Sequence, residues 1–220
     1  MYNDSLIGTL SLIMIITSVS AVEARNLRVA AIAYLVQALL ICALILTFAA
    51  GNPTLYWWAG VALITKAIIT PWLLLSYVRR TTDREVRAII GFGPSVILAS
   101  IILVSFYKLT HAHADFLAPT TVATHEVFRT NLAVALTVFV IGLYAILSRR
   151  DAIKTVVGLC LLENAVHLSL ISLAPGIRET ALVGIATEVV ITVYLLLYII
   201  SGIYQKFGST DTYKLSELHW

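Results

Sequence analysis

The chain has 220 residues, 60% of them hydrophobic and 12% charged, with a formal net charge of +3. Soluble domains are roughly 45–50% apolar and about 25% charged. The composition excludes a soluble globular protein and implies an all-α, polytopic transmembrane helix bundle.

Seven apolar segments follow one another, each near the ~20 residues that cross a bilayer. They run at about 5–22, 28–50, 55–78, 88–108, 130–148, 152–173 and 180–204. Residues 1–5 hold an acid and no Lys or Arg. That argues against the basic start of a cleaved signal peptide, so the first segment is expected to remain as a helix.

Lys and Arg placement sets the expected orientation. The turns at 23–28, 79–87 and 148–154, with the tail, carry Arg25, Arg28, Arg79, Arg80, Arg84, Arg87, Arg149, Arg150, Lys154, Lys206 and Lys214. The opposite loops carry Lys108, Arg129 and Arg178, and Lys66 lies inside a segment. This bias predicts an external N-terminus and a cytoplasmic C-terminus in an inner (cytoplasmic) membrane. The expected organisation is a four-helix part (1–110), an external loop (111–129), a three-helix part (130–204) and a cytoplasmic tail (205–220). Tyr56, Trp57, Trp58 and Tyr77 read as interfacial aromatic residues. Tyr213, Leu215, Leu218 and Trp220 suggest that the tail packs against a cytoplasmic surface.

Four ionisable groups fall inside apolar segments. Glu163 and His167 are four residues apart and share one face of a helix. Insertion scales put a charge at the bilayer centre at roughly 2.5–3.5 kcal/mol. A carboxyl there is either a protonated hydrogen-bonding group or a proton carrier, and His167 is a relay member or its hydrogen-bond partner. Asn164 is a plausible orienting group. Glu188 lies in the last segment, with Thr187 and Thr192 as polar lining. Lys66 sits mid-segment, ahead of Pro71, which frees the carbonyl of Ala67. It pairs with a carboxylate or lies buried, with Gln37 a partner by depth.

Other chemistries lack their motifs. Cys42 and Cys160 lie in apolar runs and form neither a disulfide framework nor a metal set. There is no phosphate-binding glycine loop and no G-x-S-x-G nucleophile turn. His111 and His113 read as solvated loop residues. Neither a cofactor site nor a nucleic-acid surface is expected, and the chain reads as a conduit or coupling part.

The last three segments resemble the three-helix subunit of respiratory complex I, chain 4L or subunit K. The residues behind this are Ser148-Arg-Arg150, Gly158-Leu-Cys-Leu-Leu-Glu163-Asn164, Glu188 and Ser216-Glu217-Leu218. A longer insertion, Cys160-Leu-Leu, separates Gly158-Leu from Glu163. The whole chain is similar to the hydrogenase-4 component E family. That likeness rests on Ile64-Thr-Lys66 with Pro71, the Gly158 to His167 stretch, and Gly184-Ile-Ala-Thr187 before Glu188.

The resemblance implies a membrane-arm subunit of a complex-I-related hydrogenase or formate-hydrogenlyase-type complex. Glu163 and Glu188 would belong to its hydrophilic axis. It implies antiporter-like and subunit-H-like membrane partners, and indirectly peripheral iron–sulfur and hydrogenase-like subunits. A structural adaptor without proton transfer, or a K-like subunit of a cation/proton antiporter, are the alternatives.

Overall fold

The structure, a computed structural model, describes residues 4–81, 91–118, 125–173 and 179–212. Seven long helices carry the apolar segments: α1 (Asp4–Glu23), α2 (Leu27–Ala49), α3 (Thr54–Arg80), α4 (Phe92–Ala112), α5 (Glu126–Ser148), α6 (Ala152–Leu173) and α7 (Glu179–Phe207). Each is long and apolar enough to cross a membrane. A one-turn helix, Ala114–Leu117, follows α4. All seven helices begin and end within four residues of the hydropathy reading, the fourth running from Phe92 to Ala112 where 88–108 was expected. Gly91, at the start of α4, adopts φ +83, a conformation that suits glycine, and the helix begins at Phe92. Pro94 then sits in the first turn, where its missing N–H costs nothing.

The centre of the bundle is the α5–α6 pair. Gly142 and Gly158 face each other so closely that a Cβ on Gly142 would lie 2.9 Å from the Gly158 carbonyl oxygen. Small residues let two membrane helices approach in this way. Helices α1 and α2 pack against this pair, and α3 joins α2 and α7. Helix α6 is the most enclosed, with 61% of its apolar window buried, against 11% for α4 and 28% for α7. The last two therefore present most of their surface outward.

Helix α3 is not uniform. Over Leu63–Ile69 it widens into a π-helix. The amide of Thr70 reaches back to the carbonyl of Thr65, five residues earlier, and the Thr70 hydroxyl donates to the same oxygen at 2.8 Å. Pro71 follows and can donate no backbone hydrogen bond. The break expected at Pro71 thus takes the form of a widened turn that carries Lys66. Such π segments are frequently found at functional sites.

Two aromatic expectations change. Tyr56 and Trp57 are exposed, as interfacial residues should be, but Trp58 is fully buried and Tyr77 nearly so. Successive residues on a helix point about 100° apart, so a cluster in sequence cannot all face lipid. The described part of the tail, up to Thr212, folds back on the turn between α5 and α6. Thr212 N–H donates to the Arg150 carbonyl at 2.7 Å, and Ala152 N–H to the Thr210 carbonyl at 3.1 Å. The aromatic tail residues from Tyr213 onward lie outside the described residues.

Candidate functional site

Lys66 and His167 are fully buried, and the side chain of Glu163 is 12% exposed. The i,i+4 spacing on α6 puts His167 Nδ1 2.9 Å from Glu163 Oε1. From α3, the π segment points Lys66 into the same place. Its Nζ lies 2.8 Å from Glu163 Oε1, 2.9 Å from Asn164 Oδ1 and 2.6 Å from His167 Nδ1. Three ionisable groups from two helices therefore touch one another inside an apolar bundle. A buried charge needs such partners, and removing one of a buried pair costs about 3–5 kcal/mol.

The geometry at Nδ1 permits more than one arrangement of protons. With Lys66 an ammonium, Nδ1 accepts from it and the ring N–H lies on Nε2. With Lys66 neutral, an Nδ1–H donates to Glu163 instead. Nε2 is buried and hydrogen-bonds no described residue. The ring itself is held by Trp58, with centroids 5.2 Å apart. That contact is why Trp58 faces inward.

A polar branch leaves this centre. Asn164 Nδ2 donates to Gln37 Oε1 at 3.1 Å, and Gln37 Nε2 donates to Ser18 Oγ at 2.8 Å. Ser18 in turn donates to the Met14 carbonyl. Gln37 thus reaches the centre through Asn164, not by direct contact with Lys66. The depth of Gln37 was readable in the sequence, but the route through Asn164 was not.

Glu188 lies apart. It is exposed on α7, and no hydrogen bond or ion pair joins it to the centre among the described residues. Its neighbour Thr187 spends its hydroxyl on its own helix, at Val183 and Gly184. Among the described residues no group of His, Cys, Asp and Glu could hold a metal ion.

A second buried cluster, unforeseen in the sequence, lies at the arginine-rich end. Arg149 forms a salt bridge with Glu23, and both side chains are at least nine-tenths buried. Ser95 Oγ accepts from Arg149 at 2.7 Å, donates to Glu23 at 2.9 Å and lies 2.7 Å from the Tyr144 hydroxyl. Lys154 Nζ caps the end of α1 through the Ala21 and Val22 carbonyls, at 2.7 and 3.0 Å. Asp151 caps the start of α6 through the amides of Ile153 and Lys154 and accepts from the Thr210 hydroxyl. His111 also has a partner, Glu126, at 2.9 Å, and both remain partly exposed.

The model of NADH-ubiquinone/plastoquinone oxidoreductase chain 4L matches residues 130–220. These residues carry Glu163, His167 and Glu188, whereas Lys66 comes from outside the matched region. Curated relatives account for the remainder. Over its whole length the chain is similar to hydrogenase-4 component E. Proteins of that name from Escherichia coli K12, Escherichia coli O157:H7 and Shigella flexneri are each 28% identical over 224 residues, covering 99% of both chains. No solved structure matches the chain significantly. The chain 4L match covers helices α5 to α7, so the centre is assembled between that three-helix unit and the α3 segment that precedes it.

Proposed function

We propose that this chain is a membrane-arm subunit of a complex-I-related hydrogenase or formate-hydrogenlyase-type oxidoreductase, and that it helps to translocate protons. In this reading Lys66, Glu163 and His167 form the central proton-holding unit, and Glu188 is the next station on the outward face of α7. The three-helix part (130–204) carries the carboxylates, and the four-helix part (1–110) supplies the lysine. Electron transfer belongs to peripheral iron–sulfur and hydrogenase-like partners. Antiporter-like and subunit-H-like neighbours flank the chain in the inner membrane.

The observation that carries the proposal is the mutual contact of Lys66, Glu163 and His167 away from water. The three can hold the same net charge with a proton in different places. A unit charge arriving 10 Å away meets another unit charge with about 1.7 kcal/mol at an effective dielectric of about 20, and moving a proton roughly 3 Å within the site changes that by about 0.4 kcal/mol, or roughly twofold in population. A redox event in a neighbouring subunit can therefore change which group holds the proton without a large movement of helices.

Glu163→Gln tests this. The amide keeps the shape and an acceptor for Lys66 but carries no titratable proton. The assembled complex in inverted membrane vesicles should retain electron transfer and lose most of its proton uptake per electron. Normal pumping by that variant would overturn the reading and leave the structural-adaptor role.

A further inference from the structure

A groove of about 340 Å³ runs between the second halves of α3 and α7. Its mouth, at Arg80, lies about 20 Å along α3 from Lys66, at 1.5 Å per residue, so it is separate from the proton-holding centre. Trp72, Tyr194 and Tyr198 form its outward walls and are 65%, 57% and 71% exposed. Tyr77 lines it from within. Tyr77 is only 8% exposed, and its hydroxyl hydrogen-bonds no described residue. Ser76 and Ser201 add further hydroxyls to the lining. Among the described residues, none of those lining the groove is a carboxylate.

The groove is thus amphipathic along its length. One end is apolar and aromatic at membrane depth. The other ends on a guanidinium at the arginine-rich end of the bundle. Arg80 and its neighbour Arg79 are exposed and make no ion pair with any described residue. We propose that this groove is a binding site for one anionic phospholipid, with its phosphate on Arg80 and one acyl chain along Trp72, Tyr194 and Tyr198.

Three physical points select this occupant. Guanidinium matches a phosphate with paired donors, and basic pockets between transmembrane helices on the cytoplasmic side take acidic headgroups. A zwitterionic lipid would bring its own cation against Arg79 and Arg80. The volume accommodates a single chain, whereas a partner helix is about 10–12 Å across with its side chains. A free phosphate has no use for the aromatic walls.

The test is native mass spectrometry of the full chain released from its purified complex. Before release, the complex is equilibrated with mixed micelles of phosphatidylglycerol and phosphatidylcholine in equal amounts. The wild-type chain should retain phosphatidylglycerol in preference to phosphatidylcholine. Arg80→Gln should lower that retention by about tenfold or more, as loss of a charge-assisted hydrogen bond does. Ser201→Trp, which fills the groove and leaves Arg80 in place, should lower it as well and guards against misfolding of the first variant. Lys206→Gln, at the same end of the bundle and outside the groove, should change nothing. A photoreactive residue at position 198 in the intact complex should label lipid. Equal retention by wild type and both groove variants, or no preference between the two lipids, overturns the proposal. So does a crosslink from position 198 to another polypeptide, which would make the groove a subunit interface.

Discussion

The bundle buries charge in two places, and the two are built differently. At the arginine-rich end, Arg149 faces Glu23 and the lysine and aspartate nearby are held by backbone caps. A guanidinium does not release its proton in a protein, so the charge of Arg149 is fixed. In the middle of the bundle, Lys66, Glu163 and His167 lie within 2.9 Å of one another, and each can hold or release a proton. The first cluster fastens α1, α4, α5 and α6 together. The second has the composition of a site where protons can be rearranged. Burial alone therefore does not mark a functional charge. The distinction lies in whether the partners are permanent ions and backbone groups or other titratable side chains.

The largest effect expected from breaking this comparison is on the fixed cluster. Arg149→Ala leaves Glu23 buried without its cation, a loss of about 3–5 kcal/mol for a broken buried pair. The apparent Tm of the detergent-solubilised chain should fall sharply, and so should the yield of monodisperse protein. Adding Glu23→Gln should recover much of the loss, because the uncompensated charge is then gone. Glu163→Gln should affect Tm much less than Arg149→Ala and coupling much more. If the two variants lower Tm equally, the clusters do not differ as argued.

A smaller effect is expected where the two clusters share a helix. Helix α6 carries Lys154 at one end and Glu163 further along, and it is set against α5 by the glycine contact. In Gly142→Ala the new Cβ would lie 2.9 Å from a backbone oxygen and 3.0 Å from Leu162 Cγ, next to Glu163. Overpacking of this kind costs about 1–3 kcal/mol. The helices must part slightly, which moves Glu163 relative to Lys66. Proton uptake per electron should drop along with stability, whereas Gly184→Ala, with open space at its Cβ, should alter neither.

Much of this was legible in the sequence, for definite reasons. Hydropathy located seven helices because a span needs a long apolar run. The stacking of Glu163 and His167 followed from helical spacing alone. Pairing Lys66 with Glu163 did not, because 97 positions separate them and depth is all a single chain reveals. The facing of Glu188 was equally hidden: a membrane helix is apolar all round, so periodicity does not show which side meets the bundle. The burial of Glu23, Arg149 and Lys154 was hidden as well, since a charge at a helix end looks the same whether it turns towards water or towards a neighbour. Pro71 announced a break in α3 but not that the turn would widen to aim Lys66 inward.

The finest distinction concerns Asp151, which belongs to the fixed cluster yet can titrate. Burial pushes its carboxyl above the usual carboxylate range, partly offset by the Thr210 hydroxyl, the amides of Lys154 and Ile153, and the nearby Lys154 charge. Folding therefore favours the protonated form, and the folded state binds this proton more tightly than the unfolded chain does. By linkage, that contribution is complete below the unfolded value and declines as pH rises through the folded one. The segment clasped by Asp151 should loosen in the same direction. Amide exchange at Thr212, corrected for its intrinsic rate, reports this directly, because that N–H is held by the Arg150 carbonyl. Protection should fall as pH rises through the raised Asp151 carboxyl range. Asp151→Asn keeps an acceptor for Thr210 and cannot titrate, so its protection should not vary with pH. An unchanged slope in that variant would assign the titration to a group other than Asp151.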